Sequence, residues 1–411
     1  MRVSFPYPEG SSVTVSPLIW TITVVAIAAL LLFDYIFHVR KAHIPTLKEA
    51  AVWSGLYVGI ALLFGVLVLV FGGMQAGTEY FAGYITEKAL SVDNLFVFLI
   101  IISSFRVPRE NQQKVLLFGI TFSLIARTAL IFVGAGLINQ FAWVFYIFGL
   151  ILIITAGNML KPESTDKGEA DNFIVRITKK ILPTSEHYDG DKMTTTVDGK
   201  RMVTPMLLVM IAIAGTDLLF ALDSIPAIFG LTQDVYLVFT ATAFSLLGLR
   251  QLYFLLDGLL DRLVYLSYGL SAILAFIGIK LILHALHENN LPFINDGEPV
   301  PVIEISTGTS LLVIVGVLVI TVFASIRSPR GRAQAAISGA RRDARNYLEL
   351  DYTADDAERR RVYQEMVENE RTVSELPGKY RAMIKEEYKF RDLLSRAHAR
   401  YAEVSEEPSA R

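Results

Sequence analysis

Nine apolar runs, each long enough to cross a hydrocarbon core of about 30 Å as a helix of about twenty residues, constrain this chain more than any other feature. They fall at 18–37, 49–71, 80–102, 114–136, 141–160, 205–230, 235–256, 264–286 and 308–326. A helix satisfies its own backbone polar groups without water, so the expected fold is all-α: a polytopic membrane protein with about nine transmembrane helices. Composition agrees, since 53% hydrophobic residues, 19% charged residues and a mean hydropathy of +0.46 do not describe a water-soluble globule of 411 residues. A net charge of −2 gives no reason to expect nucleic acid as a partner, and the lipid bilayer is the expected surrounding. There is no cysteine. Disulfides, thiolate nucleophiles and cysteine-based zinc sites are thereby excluded, and any metal chemistry must use oxygen ligands or the six histidines.

The chain divides into an N-terminal pair of helices at 1–79, a three-helix unit at 80–160, a mixed-charge loop at 161–204, a second three-helix unit at 205–286, an outer loop with the ninth helix at 287–326, and a charged helical tail at 327–411. The tail carries Thr353 followed by Asp356 as a helix-start signature and is expected to be a peripheral helical hairpin or assembly element with a cytosolic partner. The opening MRVSFPYPEGSSVTVSP lacks a basic start and a small-residue cleavage pattern, so the first run is expected to be a retained anchor. Lys and Arg concentrate in the odd-numbered connections (Arg40, Lys41 and Lys48; Arg106, Arg109 and Lys114; eight within 161–204; Arg262), and the even-numbered ones carry none. The positive-inside rule then places the N terminus outside and the C terminus in the cytosol, and the expected location is the plasma (inner) membrane.

Ionisable groups deep in apolar helices are the informative residues, because each costs about 2.5–3.5 kcal/mol at a helix centre. The third run holds Glu87, Asp93 and Asn94; the sixth holds Asp217, Asp223 and Ser224; the fourth and seventh hold Arg127 and Arg250. Glu87, Asp93 and Asn94 align with Asp217, Asp223 and Ser224 at one constant offset, which marks an internal repeat. Runs three to five and six to eight are thus two copies of one three-helix unit, and because three is odd the second copy is inverted, a recurring transporter plan with its site where the copies meet. Seven residues is nearly two helical turns, so Glu87 shares a face with Asn94, and Asp217 with Ser224. Pro226 is expected to break the sixth helix and free the carbonyl of Leu222 beside Asp223. Four carboxylates with amide, hydroxyl and carbonyl oxygens suit a hard divalent cation such as Mn²⁺, Mg²⁺ or Ca²⁺, with the arginines as counter-charges or outer-layer partners. The plainer reading makes the acids ion-pair partners of Arg127 and Arg250 that lock the helices, and pairs Glu87 with Lys88. Asp34, Glu79, Asp257 and Lys280 lie near enough to helix ends to reach the interface as anchors.

At these residues the sequence resembles the TerC family of integral membrane proteins, including its Alx branch. The stretches that carry the resemblance are EYFAGYITEKALSVDNLFVF, VPRENQQKVLLFGI, TDLLFALDSIPAIFGLTQDVYLVFTATAFSLLGLRQLYFLLDGLLDRLVYLSYG and IKLILHALHEN, within residues 15–325. The resemblance implies manganese efflux and metal homeostasis, with Glu87, Asp93, Asn94, Asp217, Asp223 and Ser224 as the ion site. The expected function is therefore Mn²⁺ export by alternating access, with protons as the counter-ion and no permanently bound cofactor. No nucleophile–base pair or cofactor motif points to an enzyme. The reading from a different class is a membrane-embedded scaffold or assembly factor linked to metal or tellurite stress.

Overall fold

Glycine, more than loop length, divides the apolar sequence into helices. The computed structural model describes residues 15–36, 47–105, 107–141, 143–160, 184–185, 188–190, 192–197, 200–256, 263–289, 291–349, 356–381, 384 and 387–406. Arg40, Lys41, Arg106, Asp257, Arg262 and Thr353, all named above, lie outside the described residues. Two compact units emerge, one comprising 1–254 with 267–318 and the other 255–266 with 319–411.

The first unit begins with α1 (Pro17–Asp34), started by Pro17 and by Ser16, whose Oγ accepts from the Ile19 amide at 3.3 Å. Next comes α2 (Leu47–Ser104), 58 residues interrupted by Gly73 at φ 87° and ψ 174°, a conformation essentially closed to residues with a Cβ. The chain reverses there. Tyr80 donates to the carbonyl of Ala61 at 3.0 Å, and the Phe64 and Tyr80 rings lie 5.3 Å apart. Gly77 approaches so closely that a Cβ would stand 2.9 Å from the Cα of Leu69. The second and third apolar runs are therefore one antiparallel hairpin turned on a single residue.

Then follow α3 (Arg109–Gln140), α4 (Val144–Met159), a β-hairpin of β1 (Thr194–Val197) and β2 (Lys200–Val203), α5 (Pro205–Phe229), α6 (Val235–Leu246), α7 (Leu249–Leu256), α8 (Leu266–His287) and α9 (Thr307–Arg327). The hairpin is a short exception to an otherwise helical chain; beside it, Tyr188 donates to the Phe105 carbonyl at 2.9 Å, and burial pushes that phenol up to about 12. By length and hydropathy α1, α2, α3, α5, α8 and α9 can each cross a membrane, while α4 and α6 are apolar but shorter.

Small residues set which helices touch. Gly119 and Gly134 of α3 meet Ile213 and Phe229 of α5, a parallel pairing. Gly83 and Lys88 of α2 meet Ala241 and Ser245 of α6, also parallel. Gly149 of α4 and Gly278 of α8 each approach the other's carbonyl within 2.9 Å, as judged from where a Cβ would stand, and Ser271 donates to the Ala156 carbonyl at 2.8 Å, so this pair is antiparallel.

The seventh apolar run, read as continuous over 235–256, is split between α6 and α7 by Gly248 at φ 80°. A Cβ at Gly248 would stand 2.7 Å from the Cβ of Tyr57. Gly248→Ala is accordingly expected to lose about 1–3 kcal/mol, from backbone strain together with the clash. A lowered thermal unfolding midpoint in detergent checks this, with Gly157→Ala as the neutral control because nothing lies within 4 Å of a Cβ there. Conversely, α5 runs through Pro226 to Phe229. The proline removes one backbone donor in the last turn without ending the helix, so the expected break is found at glycines instead.

In the second unit, α10 (Pro329–Glu349), α11 (Asp356–Ser374), the short α12 (Gly378–Arg381) and α13 (Glu387–Glu406) enclose a core that includes Ile337, Ala340, Met366, Phe390 and Leu394. His398 bridges the Tyr363 hydroxyl at 2.8 Å and Glu370 at 2.7 Å, and Tyr363 stacks on Tyr401. The charged tail is thus helical with a core of its own, built from three long helices and one short one where a hairpin has two.

Candidate functional site

Arg127 gathers the acidic residues. It projects from the middle of α3, wholly buried, toward α2 and α5. Its Nε and Nη2 donate to the two carboxylate oxygens of Asp217 at 3.2 and 3.1 Å, a bidentate fork, and its Nη1 donates to Glu87 Oε1 and, at 2.9 Å, to Ser224 Oγ. Glu87 and Asp217 are 0% and 3% exposed, so both charges and the guanidinium are out of reach of solvent. Such a cluster is held only because each charge meets its opposite within hydrogen-bonding distance. The parallel packing of α3 on α5 makes this possible, since Arg127 lies between the Gly119 and Gly134 contacts and Asp217 between those of Ile213 and Phe229.

The seven-residue spacing works on α5, where Asp217 and Ser224 reach the same guanidinium. On α2 it does not extend to Asn94. Asn94 is buried and Asp93 half-buried further along the helix, while the hydrogen bonds of Arg127 described above go to Glu87, Asp217 and Ser224. Asp223 is half-buried and within electrostatic reach of Arg127 and Glu87. One carboxylate oxygen, Glu87 Oε2, is buried without a hydrogen-bond partner. Among the described residues no three acidic or histidine side chains stand close enough together to hold a metal ion in this arrangement. Arg127 occupies the space between the acids.

Arg250 does not join them. It forms a second buried cluster in which its Nε and Nη2 donate to Asp34 at 3.0 and 2.8 Å and its Nη1 donates to Gln113. Gln251 and Tyr57 donate to the same Asp34 carboxylate at 2.7 and 3.2 Å. Asp34, expected to reach the interface as an anchor, is 6% exposed. The signal was depth: in the alternating order of spans the first and seventh run in the same direction, and Asp34 ends α1 while Arg250 stands just past the end of α6, so the two lie at one level. Lys88 likewise does not pair with Glu87; its Nζ donates to the Ser245 carbonyl at 3.0 Å.

Near the turn of α2 at Gly73, Glu79, Thr232, Gln233, Asp234, Lys280 and His284 line part of a cavity of about 1000 Å³. Thr232 donates to Glu79 at 2.6 Å, and Gln233 meets His284 at 2.9 Å. Glu79 and Lys280, expected as anchors, both face this cavity.

The Integral membrane protein TerC family matches residues 72–332, which include every member of the Arg127 cluster. The chain belongs to the TerC family. Its relatives include an uncharacterized membrane protein of Mycobacterium tuberculosis (strain ATCC 25618 / H37Rv), 58% identical over 388 residues, 93% of this chain and 98% of that one. An uncharacterized membrane protein of Myxococcus xanthus is 39% identical over 267 residues, 65% of this chain and 83% of that one. The Escherichia coli (strain K12) protein provisionally named membrane-bound redox modulator Alx is 39% identical over 277 residues, 65% of this chain and 86% of that one. No solved structure matches the chain. This TerC-family chain is an integral, multi-pass membrane protein.

Proposed function

We propose that this protein is a divalent metal cation transporter of the plasma membrane that exports Mn²⁺ by alternating access, with the N terminus outside and the C terminus cytosolic. The observation that carries the reading is the meeting of Glu87 and Asp217, equivalent positions of the sequence repeat on two helices, at one buried guanidinium. Acids kept so deep in a membrane protein face a functional pathway by default. The helix pairing supports it too: α2 on α6 and α3 on α5, both parallel, with α4 against α8, is what two copies of one three-helix unit related by a two-fold axis give.

In this mechanism Arg127 is the internal counter-charge, and a divalent cation loads by exchange: the guanidinium withdraws as the ion takes Glu87, Asp217 and Ser224, with Asp223 completing the oxygen donors. Asp93 and Asn94 line the inner approach. The oxygen donors suit Mn²⁺, and the choice of Mn²⁺ over Mg²⁺ or Ca²⁺ rests on the family resemblance. Moving two charges outward against an inside-negative potential costs about 4.6 kcal/mol per 100 mV, at about 2.3 per charge, so the carboxylates also carry protons inward as the counter-ion. The cycle needs no enzyme chemistry and no resident cofactor. A thiol-based redox role does not fit a chain without cysteine.

Mn²⁺ flux into proteoliposomes under an imposed pH gradient tests this. The native protein is expected to couple flux to the gradient, and the Asp93→Asn, Asp223→Asn double variant to lose at least tenfold in initial rate; equal pH-linked flux in both defeats the mechanism. The scaffold reading draws on a different observation, the separately cored helical unit at 319–411, most of which lies beyond the matched family region. Truncation after residue 328 separates the two, because a transporter keeps its flux and a scaffold loses its cytosolic partner.

A further inference from the structure

The end of α6 is an unusual place for a lysine to finish. α6 stops at Leu246, because Leu247 is extended at ψ 133° and Gly248 turns the chain at φ 80°. The last carbonyls of a helix have no donors within it, and they carry the negative end of its dipole. Leu247 still donates to the Ala243 carbonyl, but the carbonyl of Ser245, whose donor would be the amide of Leu249, is left beyond the break. Lys88 supplies the missing partner from α2, its ammonium 3.0 Å from that oxygen.

Lysines inside apolar helices ordinarily extend to the interface. Lys88 lies fifteen residues past the turn at Gly73, about 22 Å along the helix, well inside a core of about 30 Å. It finishes on a backbone oxygen, and among the described residues no carboxylate bonds to it. The contacts Gly83 to Ala241 and Lys88 to Ser245 set α2 and α6 in parallel register, 83 to 88 against 241 to 245. Within that stretch three hydroxyls, those of Thr86, Thr242 and Ser245, are buried at 0–1% exposure and have no hydrogen-bond partner. Unsatisfied buried oxygens are costly, and half-helix C-terminal carbonyls beside hydroxyls are the donor set that binds monovalent cations in membrane transporters.

We infer that Lys88 is a tethered cation seated in a monovalent-cation site at the broken end of α6, so that removing its side chain opens that site to Na⁺. The inference concerns a different cation from the one proposed for export and stands or falls without it. The divalent cluster is reached through Glu87 and Arg127, whereas this site is built from Lys88 and the end of α6.

Thermal unfolding of the full-length protein in detergent tests it, in NaCl and in choline chloride at equal ionic strength. The native midpoint is expected to be the same in both salts. Lys88→Ala is expected to unfold at a lower temperature in choline chloride and to recover by about 4 °C or more, saturably, as Na⁺ replaces choline. Lys88→Ser, equally small and with an added oxygen, is measured beside it and is expected to respond at lower Na⁺. Midpoints of both variants that do not distinguish Na⁺ from choline overturn the inference. So does a native protein that responds to Na⁺ as strongly as the variants, and so does failure of both variants to fold in NaCl, since Na⁺ should restore them.

Discussion

Replacing Arg127 with methionine is expected to destabilise the protein by about 3–5 kcal/mol, among the largest effects of single substitutions in the membrane unit. The reason is what remains: Glu87 and Asp217, 0% and 3% exposed, would face each other with no cation between them. Loss of monodisperse protein after detergent extraction, or a collapse of the thermal midpoint, reads this out. Arg127→Lys is expected to recover only part, because an ammonium cannot form the two-pronged contact with Asp217. The triple variant Arg127→Met, Glu87→Gln, Asp217→Asn is expected to be more stable than Arg127→Met alone, since no buried charge is then unpaired. Full stability of Arg127→Met by itself would mean that the acids are not charged against Arg127.

A comparable loss, about 3–5 kcal/mol, is expected for Asp34→Ala. Arg250, 3% exposed, would keep Gln113 but lose both bonds to a carboxylate, while Gln251 and Tyr57 would lose their shared acceptor. Asp34→Asn, which preserves shape and removes charge, should fall between the native protein and Asp34→Ala. Because Asp34 belongs to none of the Arg127 contacts, the fraction that folds is expected to transport Mn²⁺ within about twofold of the native rate. Rates normalised to folded protein in proteoliposomes separate these two effects, and a selective loss of transport by folded Asp34→Asn would assign the second cluster to the pathway.

The contrast between the two clusters shows how far sequence reaches in a membrane chain. The apolar runs located the helices, because length and hydropathy decide what can span lipid. The acid spacing located Glu87, Asp217 and Ser224, because a charge far from a helix end has nowhere to go except another polar group. Asp34 escaped that logic: near a helix end, a carboxylate that reaches water and one that turns inward to Arg250 look alike in sequence, and only the level shared by the ends of α1 and α6 distinguishes them. Lys88 shows a similar limit, since adjacency to Glu87 suggests a pair, but neighbours on a helix point about 100° apart and the ammonium leaves for Ser245. Breaks were legible as a category and misplaced as residues. Pro226 takes away one donor near the end of α5, whereas Gly73 and Gly248 adopt positive φ, which proline cannot do.

The most direct test of the account is Mn²⁺ binding to the purified protein, followed by the loss of the free Mn²⁺ electron paramagnetic resonance signal. Glu87→Gln is the informative variant, because Asp217 still pairs with Arg127 and the fold keeps its buried ion pair. The account predicts saturable Mn²⁺ binding by the native protein and at least tenfold weaker binding by Glu87→Gln at equal folded concentration. Binding of equal strength in the two proteins would contradict it, and would leave the Arg127 cluster as a lock between helices.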